Sequence, residues 1–358
     1  MLNNEETMGW DALLDEYFFS RMLRPATEWS YRKVVRVFIR YMGETGLPES
    51  VTHRDVLCWR RHLLMEKNQS GYTWNNKVAH LRAIFNFGME RKLLSHPKNP
   101  FNDAAVKKEK KQKKTLSKAQ ITGIYLRMQQ YEEEERLQTA PRGGRCALYP
   151  TGYWLTVLDT FRLTGMRLNQ LLHLRLRDIN LDNSYIELRV EGSKNHSEWR
   201  VPMIPQLKPR LAQLVEQAKA CGAKEDDPLF DLTRLRFRHH GRHVSHQYSH
   251  DREKQHLRSF FNRLSKECGF AVSPHRFRHT LATELMKAPD RNLQLVRCLL
   301  GHRSVATTME YIDIDMEIAG KTLANELAFY LDLAVSGLTR RIKPYSVKSV
   351  KHFLRKNH

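Results

Sequence analysis

Three short stretches of this sequence carry residues whose types and spacing suit phosphate chemistry. The first is SPHRFRHTLATEL, residues 273–285. Ser273 is a good N-cap and Pro274 a good first helical residue, so a helix over 274–287 is expected. His275, Arg278 and His279 then stand at i, i+3 and i+4, on one face of its first turns. A helix N-terminus already attracts anions through its free N–H groups. An arginine and two histidines there shape a site for a phosphate with proton donors beside it, although a basic first turn on a surface helix would read the same way.

The second stretch is TFRLTGMRLNQLLHLRLRDINL, residues 160–181. Gly165 ends one expected helix, and Arg167 heads the next, whose apolar face is Leu168, Leu171, Leu172 and Leu174. A long cation at such a turn reaches inward toward a cleft, whereas taken alone a surface arginine is the plainer reading. The third stretch, LLGHRSVATTMEYI at 299–312, supplies His302 and Tyr311. At about 100° per residue, Val305, Met309 and Ile312 fall within roughly 60° of one another as a buried stripe. Tyr311 lies about 100° or more from each, on a face shared with Thr308, so it is expected to stand off the core. Between the second and first stretches, EGSKNHSEWRVP puts Lys194 at a hairpin tip, where it is placed to swing onto a ligand and give up a proton; hairpin-tip lysines are more often only solvated.

In chain order the set is Arg167, Lys194, His275-x-x-Arg278, His302 and Tyr311. With the motifs TGMRLNQLLHLRLRDI, HRFRHTLATELM and LLGHRSVATTMEYI, it resembles the tyrosine recombinase, or phage integrase, family over most of the chain. The resemblance implies a site-specific DNA recombinase that cuts and rejoins duplex DNA through a 3′-phosphotyrosyl intermediate without metal, ATP or any cofactor. It implies Tyr311 as nucleophile, Arg167 and Arg278 on the non-bridging oxygens and Lys194 as general acid for the leaving 5′ oxygen. His275 would assist proton transfer and His302 would hydrogen-bond the phosphate, with His279 and Gln170 in support. The chemistry agrees: a phosphodiester gathers charge on oxygen in its transition state, which two guanidinium forks stabilise. A tyrosine with an ordinary pKa of about 10 needs a positive pocket and a nearby base. Gln170 is a departure, since the family often has an acidic residue three places after the first arginine, and an amide there pairs no charge. Two rival readings are a type IB topoisomerase and a DNA-binding regulator with an idle catalytic set, whose sign, loss of Tyr311 or an arginine, is missing from the sequence.

The elements that must position these residues are mainly helical. WDALLDEYFFSRML, TEWSYRKVVRVFIRYMGETG, DVLCWRRHLL and TWNNKVAHLRAIFNFGMERKLL carry apolar residues at helical spacing. They predict a small all-helical domain over 8–103, which the resemblance implies is the core-binding, DNA-binding domain. A basic linker follows over 104–116, where Lys107, Lys108, Lys110 and Lys111 crowd a segment almost free of apolar residues, suited to lying along phosphates. A mixed α/β catalytic domain spans 117–325, opened by a helix that Ser117 caps, with further helices around 151–165, 167–179, 206–220, 253–268, 274–287, 291–300 and 304–311. SYIELRV and SEWRVPMI form its small β-hairpin. A C-terminal helix, LAFYLDLAV, and a basic tail occupy 326–358. The fold class is therefore mainly α with a small β-hairpin or sheet, in the two-domain tyrosine recombinase architecture. The segment before residue 9 is too short for an arm-binding domain, so the simpler type is expected.

Charge narrows the partners. Sixty Lys and Arg against 39 Asp and Glu leave +21, a field that favours polyanions. Double-stranded DNA recombination sites are the expected partner, bound by a self-assembled tetramer on two sites, with accessory DNA-bending or directionality proteins as further candidates. Arg36, Arg40, Arg60, Arg61 and Lys77 are the candidate DNA contacts of the helical domain. No run of about 18 apolar residues occurs, so no membrane is expected. The polar, acidic start is unlike a secretory signal, and the five scattered cysteines lack a CxxC, so a cytoplasmic protein is expected; the resemblance implies a bacterial one of a mobile genetic element. RHHGRHVSHQYSH holds His239, His240, His243, His246 and His250; a surface loop near DNA is favoured over a zinc site, and no metal is expected.

Overall fold

The computed structural model describes residues 8–43, 46–107, 113–139, 147–192, 198–238, 247–287, 293–301, 304–309 and 311. The chain divides into two compact units, residues 1–112 and 113–358. Among the described residues no helix is long and apolar enough to cross a membrane.

The first unit is four helices: α1 (Trp10–Arg21), α2 (Pro25–Met42), α3 (His53–Arg61), which runs on as a π turn over His62–Glu66, and α4 (Gly71–Glu90). Side chains set their starts. Thr52 accepts from the Asp55 N–H while Asp55 accepts from that of Thr52, a capping box, and Ser70 caps α4 through the Thr73 N–H. The core is aromatic: Phe38 meets Trp59 at 4.8 Å, Trp59 meets Trp74 at 5.2 Å and Phe85 meets Phe101 at 4.9 Å between ring centroids. Ala104 is buried in it, its carbonyl accepts from Trp74 Nε1 at 2.8 Å, and Asn75 pairs both ways with the Val106 backbone. The chain thus stays on this unit as far as Val106, past the expected start of the linker.

The second unit is built on α6 (Thr151–Thr164), which is buried on nearly every side. Around it lie α5 (Lys118–Arg136), α7 (Leu168–His173), α8 (Lys208–Ala220), α9 (Leu232–Arg238), α10 (His250–Cys268), α11 (Pro274–Lys287), α12 (Leu293–Leu300) and α13 (Val305–Met309). Trp154 of α6 stacks on Phe260 of α10, centroids 4.2 Å apart and planes 5° from parallel. One antiparallel sheet runs in the order β1 (Ile179–Asn180), β2 (Tyr185–Leu188), β3 (Trp199–Pro202), with Ile186 opposite Val201 and Leu188 opposite Trp199. Ser117 caps α5 in a capping box with Gln120.

Two elements escape the sequence pattern, β1 and α9, and one expected helix is shorter. The run RLNQLLHLRLRDI is α-helical only to His173 and closes in a 3-10 turn over Leu176–Asp178. Beyond His173 the chain extends along residues 225–229, with Leu229 N–H donating to the Leu174 carbonyl at 2.8 Å and Leu176 N–H to that of Asp227 at 3.1 Å. Leu174 and Leu176 are buried by that pairing.

The start of the second unit is tied to α11. Leu116 N–H donates to Thr280 Oγ1 at 2.8 Å, and the Thr280 hydroxyl donates to the Arg276 carbonyl at 2.8 Å. Thr280→Val keeps the shape and leaves the Leu116 N–H buried without an acceptor. It is expected to lower the stability of the second unit by about 1–3 kcal/mol, measured as the shift of its denaturant unfolding transition.

Candidate active site

The site grows from a glycine and an arginine. Gly165 closes α6 in the left-handed region at φ +63°, where a Cβ would meet Leu281 Cδ2 at 2.9 Å and Leu300 Cδ2 at 3.0 Å. The close approach lets Arg278 of α11 reach two backbone carbonyls at once. Nη1 donates to Gly165 O at 2.7 Å and Nη2 to Leu300 O at 2.6 Å. Its side chain is nearly sealed from solvent. Burial, then the charge of Arg167, draws its pKa below the usual guanidinium value, while Tyr311 opposes the shift.

Arg167 follows two residues after Gly165 and caps α7. Its backbone N–H donates to Gln170 Oε1 at 2.7 Å. Gln170 is buried, so at the position where an acid was expected the amide serves as a backbone acceptor. Among the described residues its Nε2 has no partner, and neither has Nη1 of Arg167. Arg167 is half-buried, which lowers its pKa. A buried guanidinium N–H without an acceptor costs free energy unless something fills the place.

The face of α11 that carries Arg278 also carries His275 and His279, with ring centroids 6.4 Å apart. His275 sits at the rim and reaches solvent; partial desolvation, then Arg278 and Arg167, lower its pKa. His279 is half-buried, and its Nδ1 lies 2.9 Å from the Tyr311 hydroxyl.

Tyr311 departs from the helical-stripe expectation. It is only 6% exposed and packs with Ala282, Met286, Val296 and Leu300. Val305 and Met309, expected inside, are 40% and 48% exposed, and Thr308 is fully buried. The cause is length. The helix α13 ends at Met309, and Tyr311 lies in the turn beyond, its N–H donating to the Thr308 carbonyl at 3.1 Å. Five residues are too few for a 3.6-residue period to choose a face, and the turn swings the tyrosine under α11. The Lys113 ammonium stands 5.7 Å from the centre of the Tyr311 ring, a cation–π contact.

The second anchor missed by the sequence is Trp199, at the start of β3. Gly301 adopts φ +60°, and a Cβ there would fall 2.5 Å from Trp199 Cη2. Trp199 thus leads the outgoing strand of the hairpin onto the residue before His302. On the incoming side Gly192 presses on Gln170 Cα, and its carbonyl accepts from Asn169 Nδ2 at 3.2 Å. Lys194 and His302 themselves lie outside the described residues, as do Lys108, Lys110, Lys111, the C-terminal helix and the basic tail.

In the first unit Arg36 and Arg40 are exposed on α2, and Arg61 is exposed at the end of α3. Arg60 is half-buried with Nη1 on the Ala104 carbonyl at 3.4 Å. Lys77 is half-buried on α4; burial, then Lys33, lowers its pKa. Lys107 is exposed. Of the histidine cluster only His250 is described, its ring stacked on His173 at 4.3 Å. Among the described residues no group of three or more His, Cys, Asp or Glu is placed to hold a metal.

Comparison with known proteins gives one consistent family. A profile described as the phage integrase family matches residues 132–317. A putative tyrosine recombinase XerC of Pseudomonas aeruginosa is 36% identical over 306 residues, 85% of this chain and 69% of that protein. Its namesake in Pseudomonas syringae is 34% identical over 308 residues, 86% of this chain and 62% of its own length. Among solved structures, the Tn1549 transposon integrase in complex with transposon right end DNA aligns with a TM-score of 0.64 at 18% identity, covering 90% of this chain and all of that one. A lambda integrase dimer bound to a COC′ core site aligns with a TM-score of 0.58 at 17% identity, covering 95% and 100%. At these identities the structural likeness is one of fold.

The Gly301–Trp199 contact makes a stability prediction. Gly301→Ala must bear the left-handed φ, about 1–2 kcal/mol, and in addition the clash with the indole. Thermal unfolding is expected to show a loss of about 2 kcal/mol or more relative to wild type. Adding Trp199→Ala should return the clash part, so that the double variant loses less than the two single losses summed; strict additivity would refute the contact.

Proposed function

The chain belongs to the phage integrase family, and from that premise we propose that it is a site-specific DNA recombinase that cleaves and rejoins duplex DNA through a 3′-phosphotyrosyl link to Tyr311. The observation that carries this reading is the Tyr311 hydroxyl held at 2.9 Å from His279, on the helix face that bears Arg278. A nucleophile, two guanidiniums and two imidazoles meet there, and the fields of Arg167 and Arg278 both act on Tyr311.

In this reading the scissile phosphate enters beside Arg167 and Arg278. The two Arg278 N–H groups bound to carbonyls hold the fork still, and the remaining guanidinium donors of both arginines face the non-bridging oxygens. The orphaned Nη1 of Arg167 gains an acceptor when the phosphate arrives. Tyr311 attacks phosphorus, the bond to the 5′ oxygen breaks, and Lys194 protonates that leaving oxygen. His275, at the rim, assists proton transfer, and His302 hydrogen-bonds the phosphate. Fixed cations stabilise the charge gathered on oxygen, with no metal required. The phosphotyrosyl bond keeps the energy of the broken linkage, so the 5′-hydroxyl of another strand can attack it without ATP.

Duplex recombination sites are the substrate, with Arg36, Arg40, Arg60, Arg61, Lys77 and the lysines 107, 108, 110 and 111 as contacts to phosphate. Four subunits act on two sites; a lambda integrase tetramer bound to a Holliday junction is among the structural neighbours. Integration, excision or inversion of a mobile element in the bacterial cytoplasm is the setting proposed, with accessory DNA-bending or directionality proteins as partners.

Covalent trapping tests the reading. Wild type and Tyr311→Phe are incubated with labelled duplexes from the DNA flanking the gene, in the presence of EDTA. The expected result is a protein–DNA adduct on denaturing gels from wild type alone, with a free 5′-hydroxyl on the cut strand. An adduct from Tyr311→Phe would move the nucleophile elsewhere. Binding without any adduct would favour an idle regulator, and relaxation of supercoiled plasmid without strand exchange would favour the topoisomerase reading.

A further inference from the structure

We propose that His279 is the proton acceptor for Tyr311 in strand cleavage and the donor that returns the proton on rejoining, a role separate from that of His275; this rests on the recombinase reading above. The geometry is direct. His279 Nδ1 is 2.9 Å from the Tyr311 oxygen, within reach of a proton transfer. His275 lies one turn earlier on α11, its ring 6.4 Å from that of His279, at the solvent-facing rim.

The position of His279 is fixed from both sides. Its neighbour Arg278 is locked by the Gly165 and Leu300 carbonyls, and the next residue, Thr280, is bonded to Leu116 and to the Arg276 carbonyl. The Tyr311 ring is held by Ala282 and Met286 of the same helix and by Val296 and Leu300 of α12. Acid–base pair and backbone are thus built as one piece, the condition for a proton to move without reorganisation.

The step balances within the site. With the imidazole hydrogen on Nε2, Nδ1 accepts the phenol hydrogen bond. The Tyr311 O–H bond breaks and its proton passes to Nδ1, while the freed electron pair on oxygen forms the bond to phosphorus. The phosphorus–5′ oxygen bond breaks, and the leaving oxygen takes a proton from Lys194. On rejoining, the 5′-hydroxyl gives its proton back to Lys194 and attacks phosphorus, the bond from phosphorus to the Tyr311 oxygen breaks, and His279 returns its proton to the phenolate. The charged and titratable groups facing the pair are Arg278 and His275 from α11, Arg167 from the head of α7 and Lys113 above the Tyr311 ring. The arginines favour the phenolate end of the transfer, and the incoming phosphate favours the imidazolium end.

The test separates proton transfer from packing. Single-turnover adduct formation is measured across pH on the duplex identified by trapping, for wild type, His279→Asn, His279→Gln and His275→Gln, each with Tyr311 as tyrosine or exchanged for difluorotyrosine, whose phenol ionises more readily. His279→Asn and His279→Gln are expected to slow cleavage about 100-fold, and to lose the rise in rate with pH that wild type shows through the imidazole range. Difluorotyrosine should recover at least about tenfold of that loss, because the nucleophile no longer needs a base, and should not rescue His275→Gln. Wild-type cleavage rates in a folded His279 variant, or a loss that difluorotyrosine does not recover, overturn the proposal. If neither variant melts like the native protein, wild type still decides on a 5′-phosphorothiolate duplex, whose leaving group needs no acid. There difluorotyrosine should reduce the solvent deuterium isotope effect, and an unchanged effect refutes the role. Absence of any adduct from wild type would instead refute the recombinase reading.

Discussion

Arg278 joins three distant pieces of the chain by two hydrogen bonds. Gly165, 113 positions earlier, and Leu300, 22 later, both give their carbonyls to one guanidinium. Those carbonyls end the helices α6 and α12, where backbone acceptors have no intrahelical donor and a cation is favoured. The arginine satisfies both ends in a buried setting, where leaving them unpaired would be expensive. The candidate site is arranged around this joint: Arg167 lies two residues past Gly165, His279 one past Arg278, and Gly301 one past Leu300. The site is therefore an outcome of helix termini meeting, and it needs Gly165 because a side chain there would hold Leu281 and Leu300 apart.

The same joint explains why Tyr311 is buried. The turn after α13 brings Tyr311 under α11 and against α12, so its ring fills a small apolar cluster while its hydroxyl meets His279. An aromatic side chain serves both needs at once, with a large apolar body and a polar tip. Packing thus sets the position of the ring, and the His279 imidazole that of the hydroxyl.

Much of this was legible in the sequence. The Ser-Pro start of α11 and the i, i+3, i+4 spacing of His275, Arg278 and His279 fix that helix and its polar face. The break at Gly165 fixes the place of Arg167. The face of Tyr311 was not legible, because a five-residue helix carries too little periodicity and the deciding event is a turn. The contact of Trp199 with Gly301 was hidden too, since an aromatic residue at a strand start reads as ordinary sheet packing. Gly301 carried a signal, a glycine directly after an apolar helix, which asks for a left-handed cap and often marks a close approach. β1 and α9 have no period of their own and form only against neighbours already in place.

Two guanidiniums in one partly buried site oppose folding. For each of these bases the folded pKa lies below its ordinary value, so the folded chain holds the cation less readily than the unfolded chain does. At every pH below that lowered value the cation is present, and its unfavourable desolvation weighs on the folded state. Burial is the first cause in both, and for Arg278 the repulsion of Arg167 adds to it. The carbonyl bonds offset part of this for Arg278, whereas Nη1 of Arg167 is left without an acceptor. A phosphate between them would remove the repulsion and supply the missing acceptor together, and a phosphorane-like transition state, with more charge on oxygen, would do so more strongly than the ground-state diester. The folded chain therefore carries an electrostatic strain that an anion held between the two arginines would release.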